Sequence, residues 1–357
     1  MTRQGPPDLL LALCGDVMLG RGVDQVLPHP GDPALREPYV RDARDYVAFA
    51  EEASGPVPRP AGFDWPWGAA LGVLERAAPD VRVINLETSV TRTGDFAPGK
   101  SVHYRMSPAN LPCLAAARPD VCALANNHVL DFGRAGLAET LDALAGAGLR
   151  TAGAGRDAEQ AWRPAAVPVR GDGRVLVYAV GTPGSGVLHD WAAGPGRSGV
   201  AFLPRLDERA AAGLAERVLR ERRPGDMVVV SVHWGTNWGY AVDQDQTRFA
   251  HALIDAGAAD VVHGHSSHHP RLLEVYRRRL ILHGCGDFIN DYEGVGGYEE
   301  FRDELRLLYL VPLARDGTLA DDPRLVPLRA RRLRLERASP EEAAWLGATV
   351  TEAGPLD

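Results

Sequence analysis

The chain has 357 residues, of which 45% are hydrophobic and 24% are charged, and its formal net charge at pH 7 is −8. This composition is typical of a globular protein with one large domain or two smaller ones, and the acidic balance argues against a general nucleic-acid binder, which would be basic. No run of 18 apolar residues occurs, so we expect neither a transmembrane helix nor a membrane partner.

The first apolar run, LLLALC, leads straight into a polar motif. It lacks a charged lead and a small-residue cleavage site, so we interpret it as a buried strand and not as a signal peptide. Four cysteines without CxxC spacing indicate small core residues in a reducing compartment, and we therefore predict a cytoplasmic protein. These are Cys14, Cys113, Cys122 and Cys285.

Short apolar segments alternate with helix patterns up to about residue 266. The apolar segments are nearly continuous, which indicates strands that are covered on both faces. Their alternation with helices predicts an α/β fold. The predicted strands cover 9–17, 81–87, 121–128, 175–181, 227–235 and 260–266, and the clearest predicted helices cover 134–148, 206–223 and 243–258.

Two segments depart from that alternation within what we expect to be a single domain over 1–357. Residues 26–68 are rich in proline and charge, which favours a lid or insertion, or else disorder. Residues 270–338 contain successive strand patterns and predict a β-rich C-terminal part with a second, antiparallel-leaning sheet. Ser339 and Pro340 then give the start of a final helix.

Polar residues cluster at the carboxyl ends of the predicted strands, where ligands bind in open α/β sheets. A lone Asp or Asn there usually caps a helix, and a lone His is more often a satisfied core residue. Five or six such strand ends together indicate one shared site. The mixture of carboxylate, amide and imidazole suits a divalent cation, and the lack of cysteine disfavours a structural zinc. The residues are Asp16, Asn85 to Glu87, Asn126 to His128, His233, His263, His265 and Asp287.

Six motifs in order, GDVMLGR, INLETSVT, ANNHVLDFG, VHWG, HGHSSHHP and GDF, carry a family resemblance. They resemble the CapA, or poly-γ-glutamate synthesis, branch of the calcineurin-like metallophosphoesterases, over roughly residues 9–290. The resemblance implies an α/β/β/α sandwich, in which two mixed sheets pack face to face with helices outside. It also implies a metal-dependent enzyme.

The departures from the two-metal pattern concern its ligands. The first motif of such enzymes resembles D-x-H, whereas this chain has Met18 in place of the histidine, and methionine is a poor ligand for a hard cation. Glu87 stands in the region of a bridging aspartate, and one extra serine separates His265 from His268. We therefore expect one tightly held divalent cation, Ca, Mn, Mg or Zn, and no organic cofactor. Its ligands are drawn from Asp16, Glu87, Asn127, His233 and His265.

Acid–base residues are expected beside that cation. His128 resembles the catalytic histidine of the family, and Asp131 is close enough to orient it, or else caps the helix that follows. Asp287 with His268 or His283 forms a second candidate pair. With Asp16, the expected catalytic set is Asp16, His128, Asp131, His268 and Asp287.

The substrate contacts are the least defined part of the site. Trp238 and Tyr240 follow a site motif in a glycine-rich loop, so they either line a pocket or belong to the core. We expect a substrate-binding set of Arg21, Trp234, Trp238 and Tyr240.

The basic residues are almost all arginine, with Lys100 as the single lysine. Arginine suits fixed contacts with carboxylates or phosphates. A GC-rich genome explains the same bias, and we take that as its cause.

Three kinds of function remain open. A cytoplasmic branch of the family resembles the lasso-peptide epimerases of the MslH type, which invert the α-carbon of a peptide's C-terminal residue. We hypothesise metal-dependent epimerisation of a peptide by two-base His/Asp chemistry, the peptide being a ribosomal precursor in the lasso-type case. The alternatives are hydrolysis of a phosphoester or of a poly-γ-glutamate-type amide, and a non-catalytic role in polymer assembly.

Overall fold

Two mixed β-sheets form the centre of the computed structural model, which describes residues 8–351. The strands of this part are β1 (Leu9–Val17), β2 (Val81–Leu86), β3 (Ser89–Val90), β4 (Arg105–Met106), β5 (Val121–Ala123), β6 (Arg150–Ala152), β7 (Ala154–Gly155), β8 (Ala165–Pro168), β9 (Arg174–Gly181), β10 (Gly199–Val200), β11 (Met227–His233), β12 (Val261–His265), β13 (Leu273–Tyr276), β14 (Arg279–Leu282), β15 (Asp287–Ile289), β16 (Leu305–Leu313), β17 (Arg324–Ala330) and β18 (Leu335–Arg337). The α-helices of this part are α1 (Arg21–Val26), α2 (Arg44–Ser54), α3 (Ala69–Ala77), α4 (Leu111–Ala116), α5 (Gly133–Gly146), α6 (Ala158–Trp162), α7 (Glu208–Glu221), α8 (Gln244–Asp255) and α9 (Pro340–Thr351).

Each sheet has a parallel centre and antiparallel pairing at one or both sides. The first sheet has the order β18-β17-β16-β1-β2-β5-β6, with β1 parallel to β2 and antiparallel to β16. Near its carboxyl end, β1 pairs with β15 instead of β16. The second sheet has the order β13-β14-β12-β11-β9-β8, in which β8 and β13 are the antiparallel edges.

The two sheets pack face to face, with β1 against β12 and with β5 and β6 against β9. Side chains alternate along β11, as the pleat requires. Val228, Val230 and Val232 lie in a core shared with helices α7 and α8, whereas Val229 lies in the core between the sheets. Helices α3, α4, α5 and α9 contribute buried residues on the side of the first sheet. The expected α/β/β/α sandwich of the calcineurin-like class is therefore confirmed.

The sequence had suggested a separate sheet after residue 270, but the β-rich part there does not form one. β13 and β14 extend the second sheet, whereas β15 to β18 join the first. The chain crosses between the sheets at about residue 285, because β1 offers one free pairing side that β15 and then β16 occupy. The final helix begins as predicted, with Ser339 and Glu342 bonded reciprocally as a capping box.

Residues 26–68 contain helix α2, which buries Val47 and Ala50 against Leu333 of the C-terminal region. The segment is thus packed onto the body, and its role as a lid stays a prediction. None of the helices within residues 8–351 has the length and apolar character needed to cross a membrane.

Candidate metal and acid–base site

Strand pairing brings the polar strand ends together at one edge of the sandwich. In the first sheet Asp16 is the register partner of both Asn85 and Asp287. In the second sheet His233 and His265 are register partners at the ends of β11 and β12. Because β1 packs against β12, these two edges meet.

Asp16, His233 and His265 form a buried cluster whose ligand atoms lie within 4.8 Å of one another. Asn127 extends it, since its Oδ1 lies 3.0 Å from Nε2 of His233. Glu87 adds a carboxylate whose Oε1 lies 4.0 Å from the same nitrogen. The residues predicted as metal ligands are therefore brought together.

Hydrogen bonds fix the tautomer of His265. His263 donates from Nε2 to the carbonyl of Cys14 (2.8 Å), which leaves its Nδ1 to accept from Ser231 (3.1 Å). The Ser231 oxygen then accepts from Nε2 of His265 at 2.8 Å. Consequently Nδ1 of His265 carries a free lone pair, and such an outer partner is typical of ligating histidines.

The donor set fits a divalent cation. The Nδ1 atoms of His233 and His265 lie 2.8 Å apart, and Nε2 of His233 lies 3.0 Å from Oδ1 of Asn127. A neutral His233 ring has one proton for these two contacts, so one of them sets a lone pair against another acceptor, and the two repel unless a proton or a cation lies with them. Carboxylate, amide and imidazole together suit a hard or borderline metal ion.

The charges of the cluster point the same way. Burial, followed by repulsion from Asp287, raises the pKa of Asp16 to about 7. Burial and then Asp16 raise the pKa of Glu87 well above its ordinary value, and burial holds the pKa of His233 and His265 well below theirs. Buried carboxylates that repel each other and neutral imidazoles are stabilised by a bound cation.

Asn85 was noted in the sequence without a role, and it connects the two carboxylates. Its Nδ2 donates to Oδ1 of Asp16 (2.7 Å) and to Oε2 of Glu87 (3.1 Å). Its Oδ1 accepts from Nδ2 of Asn126 at 3.0 Å. Ser266 adds a backbone donor, because it adopts a left-handed φ of 103° and its amide bonds to Oδ2 of Asp16 at 3.1 Å.

His128 and Asp131 form the first acid–base pair, joined between Nδ1 and Oδ2 at 2.6 Å. The same oxygen accepts from the backbone amide of Tyr104 at 2.7 Å, and Asp131 does not cap helix α5. Nε2 of His128 lies 3.8 Å from Oε1 of Glu87. Burial lowers the pKa of His128 to about 4, although Asp131 opposes that shift. The neutral ring can accept a proton at Nε2.

His268 and Asp287 form the second pair, joined between Nδ1 and Oδ1 at 2.9 Å. His283 was the alternative partner of Asp287, and that prediction is wrong, because His283 forms a hydrogen bond with Glu274 at 2.9 Å instead. Burial alone would lower the pKa of His268, but the charge and hydrogen bond of Asp287, together with the charge of Asp16, outweigh it and raise the pKa. Asn237 donates to Nε2 of His268 at 3.0 Å. His268 and Asp287 also form a possible ligand cluster with Asp16.

Two tyrosines that sequence reasoning missed connect the pairs. The hydroxyls of Tyr104 and Tyr292 lie 2.5 Å apart. The Tyr104 ring centroid lies 4.1 Å from that of His128, and the Tyr292 ring lies 5.2 Å from that of His268. Both pairs therefore belong to one site, with the tyrosines between them.

Two of the predicted substrate residues have other roles in this conformation. Trp234 is 1% exposed and continues the face of Val232 into the helix-side core, where its Nε1 donates to the carbonyl of His283. Arg21 is 4% exposed and pairs with Asp291 and Glu37. The prediction that they meet substrate does not fit this burial, because neither offers a free polar group to the site.

Trp238 and Tyr240 do lie beside the site, in an aromatic wall. Trp238 lies 5.1 Å from His268 between ring centroids and stacks on Tyr298 at 3.9 Å. Tyr240 packs against Phe301 at 5.6 Å, and its buried hydroxyl has no hydrogen-bond partner among residues 8–351. The wall is half-buried, which suits a surface that a ligand covers.

Comparisons with known proteins identify the family of the chain. Residues 10–292 match the family model described as "Bacterial capsule synthesis protein PGA_cap". Two Mycobacterium tuberculosis proteins, each described as a probable polyglutamine synthesis accessory protein, are 54% identical over 349 residues, or 97% of this chain and 91% of theirs. The PGA biosynthesis protein CapA of Bacillus subtilis is 27% identical over 321 residues, or 87% of this chain and 69% of its own. A solved Mycoplasma pneumoniae phosphatase aligns over 94% of this chain and 96% of its own, with a TM-score of 0.44 and 11% identity.

Proposed function

Because the chain belongs to the bacterial capsule synthesis protein PGA_cap family, we propose that it is a metal-dependent enzyme that epimerises an α-carbon in an amide-linked chain. One observation carries the proposal: two separate His–carboxylate pairs, His128–Asp131 and His268–Asp287, stand in one buried site. A two-base inversion needs a base on one face of the carbon and an acid on the other. Hydrolysis needs only one such pair.

The proton steps balance within the two pairs. One imidazole takes the α-proton as the C–H bond breaks, and the other supplies a proton to the opposite face as the new C–H bond forms. The ring that takes the proton starts neutral and becomes an imidazolium, whereas the ring that supplies one starts as an imidazolium and becomes neutral. Asp131 and Asp287 orient the rings and stabilise each of them in its charged form. Asn237 covers Nε2 of His268, so substrate must displace its amide from that nitrogen.

A cation held by Asp16, Glu87, Asn127, His233 and His265 would supply positive charge for the oxygen of the reacting carbonyl or carboxylate. That charge lowers the cost of removing a weakly acidic α-proton. The protein's part is to keep the neutral imidazoles and the two carboxylates in place, which Asn85 and Ser231 do by hydrogen bonds.

The substrate class comes from the relatives. The relatives are described as proteins of polyglutamine and PGA synthesis, so we propose a chain of amide-linked glutamine or glutamate residues, and a ribosomal precursor peptide as the alternative. Trp238 and Tyr240, in the aromatic wall beside the site, would pack against the substrate chain. We also propose a cytoplasmic location, which the four buried, unpaired cysteines support.

Amide hydrolysis is the second candidate, and one observation favours it. Glu87, Asn127, His233 and His265 surround a cation position beside His128, which suits attack by an activated water. Met18 is buried at the position where the D-x-H motif of two-metal enzymes has its histidine, and this counts against a two-metal clamp.

Deuterium exchange separates the candidates. The metal-loaded protein is incubated in deuterated water with glutamine and glutamate oligomers of each stereochemistry, and mass and chirality are read residue by residue. We expect one deuterium at one α-carbon, with inversion and no cleavage. Cleavage without α-exchange would show hydrolysis, and inertness after confirmed metal loading would show a non-catalytic assembly role.

A further inference from the structure

Lys100 is the only lysine in a chain with 39 lysine and arginine residues. It lies on the segment between β3 and β4, where its neighbours Gly99 and Ser101 are exposed. Its own side chain turns inward and is only 10% exposed. A single ammonium group buried beside the proposed site is therefore a distinctive feature of the chain.

The ammonium nitrogen of Lys100 contacts one short turn at three places. It donates to Oδ1 of Asp131 at 2.5 Å and to the backbone carbonyl of Asn127. It also lies 3.5 Å from Nδ1 of His128. The turn thus carries a proposed cation ligand and the first acid–base pair, and one side chain fastens both of its ends.

The opposite side of the same turn is held by residues of β2 and β3. Ser89 donates from Oγ to the carbonyl of His128 at 2.8 Å. Asn126 accepts from the amide of His128 at 3.1 Å and donates to the carbonyl of Leu86. Lys100 supplies the matching contacts on the outer side, since Oδ2 of Asp131 is already used by His128 and Tyr104.

Arginine would not reproduce these contacts. An ammonium is compact and donates in three tetrahedral directions, whereas a guanidinium is a larger planar fork suited to a single bidentate acceptor. The acceptors here are a carboxylate oxygen and a carbonyl that belong to different residues, and the Trp191 ring lies 5.0 Å from the nitrogen. In a chain that otherwise uses arginine, the geometry of this position explains the lysine.

We propose that Lys100 is a positioning residue that fixes the turn from Asn127 to Asp131, so that His128 and the Asn127 amide keep the orientation that catalysis needs. The effect on turnover rests on the proposed function. The effect on the orientation of His128 does not, because that can be measured in the protein without substrate.

The test compares Lys100→Met, Lys100→Arg and Arg92→Met. Arg92 is an exposed cation on the same segment, so its variant matches the loss of charge without the contacts. We expect Lys100→Met to lower kcat about 10- to 100-fold, as loss of a residue supporting a site does, with little change in KM. Its Tm should fall, because the buried Asp131 carboxylate loses a partner, so kcat is measured well below the unfolding transition of each variant. Lys100→Arg should recover only part of kcat, and Arg92→Met should match the unaltered protein.

Chemical rescue and NMR complete the test. The native cysteines are buried, so bromoethylamine should modify only the introduced thiol of the Lys100→Cys variant and return an ammonium there, restoring kcat. The downfield proton on Nδ1 of His128 should shift or broaden in Lys100→Met and in unmodified Lys100→Cys, and it should return when the latter is rescued. An unchanged proton signal with unchanged kcat would overturn the proposal, as would a loss of kcat that follows Tm alone. If the unaltered protein shows no turnover, the function proposed above fails, and the proton signal still decides the role of Lys100.

Discussion

His128 and Asp131 lie three residues apart on one turn after β5, whereas His268 follows β12 of the second sheet and Asp287 begins β15 of the first. The first pair is local and is held by side chains from several directions. The second pair exists only because the two sheets pack together. It also lies next to the exposed Asn237 and to Trp238, which stacks on Tyr298, a residue that is 38% exposed. Both imidazoles are 6% exposed, so the pairs differ in how many neighbours hold them and not in their own accessibility.

The largest effect should come from removing either imidazole, and it should depend on substrate stereochemistry. We expect His128→Gln and His268→Gln each to lower epimerisation by about 10²- to 10⁴-fold, the range for a general acid or base. Each variant should still exchange the α-proton of one enantiomer with deuterated water, because one base remains, and the two variants should retain opposite enantiomers. Retention of the same enantiomer by both would break the assignment of the pairs to opposite faces.

Metal content should separate ligands from acid–base groups. We expect about one divalent ion per chain, lost in His233→Ala and His265→Ala because these imidazoles belong to the proposed ligand set. His128→Gln and His268→Gln should retain it. Elemental analysis after gel filtration gives the stoichiometry. Two ions per chain, with one lost in His268→Gln, would make the second pair ligands through the cluster with Asp16.

Removing either orienting carboxylate should lower kcat less than removing an imidazole does. Asp131→Asn and Asp287→Asn should each lower kcat about 10- to 100-fold, because an amide in place of the carboxylate does not stabilise the imidazolium. The loss should be greater for Asp131, whose two oxygens together contact His128, Tyr104 and Lys100. Steady-state kinetics with both enantiomers gives the comparison, and an equal loss would show that local rigidity is irrelevant.

The smallest effect on activity should be at the aromatic wall beside the second pair. Trp238→Ala should raise KM several-fold with little change in kcat or Tm, because removing uniform binding changes KM alone. Trp234→Ala offers the contrast, since emptying a buried indole site costs about 3 to 5 kcal/mol of unfolding free energy. The Tm should therefore fall mainly in Trp234→Ala, whereas KM should rise mainly in Trp238→Ala.

The sequence predicted much of this site because strand ends carry a local signal. Asp16, His233 and His265 each end a strand, and parallel neighbours must bring such ends together. Asp131 was found from its spacing to His128. Alternation along β11 also contained the correction for Trp234, which shares the parity of Val228, Val230 and Val232 and so faces the helices.

The residues that were missed come from loops whose position depends on tertiary packing. Tyr104, Tyr292 and Asn237 lie in loops and belong to none of the six motifs. The route of the chain across the two sheets after residue 282 also required three-dimensional pairing, because β13 to β16 read alike as short strands. Lys100 did carry a signal, its rarity, but composition gives no location.

Ser266 has a consequence for how many cations the site accepts. The residue follows His265 in a left-handed conformation, and its amide points at Oδ2 of Asp16. The positive end of a peptide dipole thus occupies a lone-pair direction of a carboxylate that a second cation would need to share. A backbone donor cannot be removed by changing a side chain. We therefore expect a preference for a single ion that depends on the course of the main chain and that mutation of the ligands alone would not reverse.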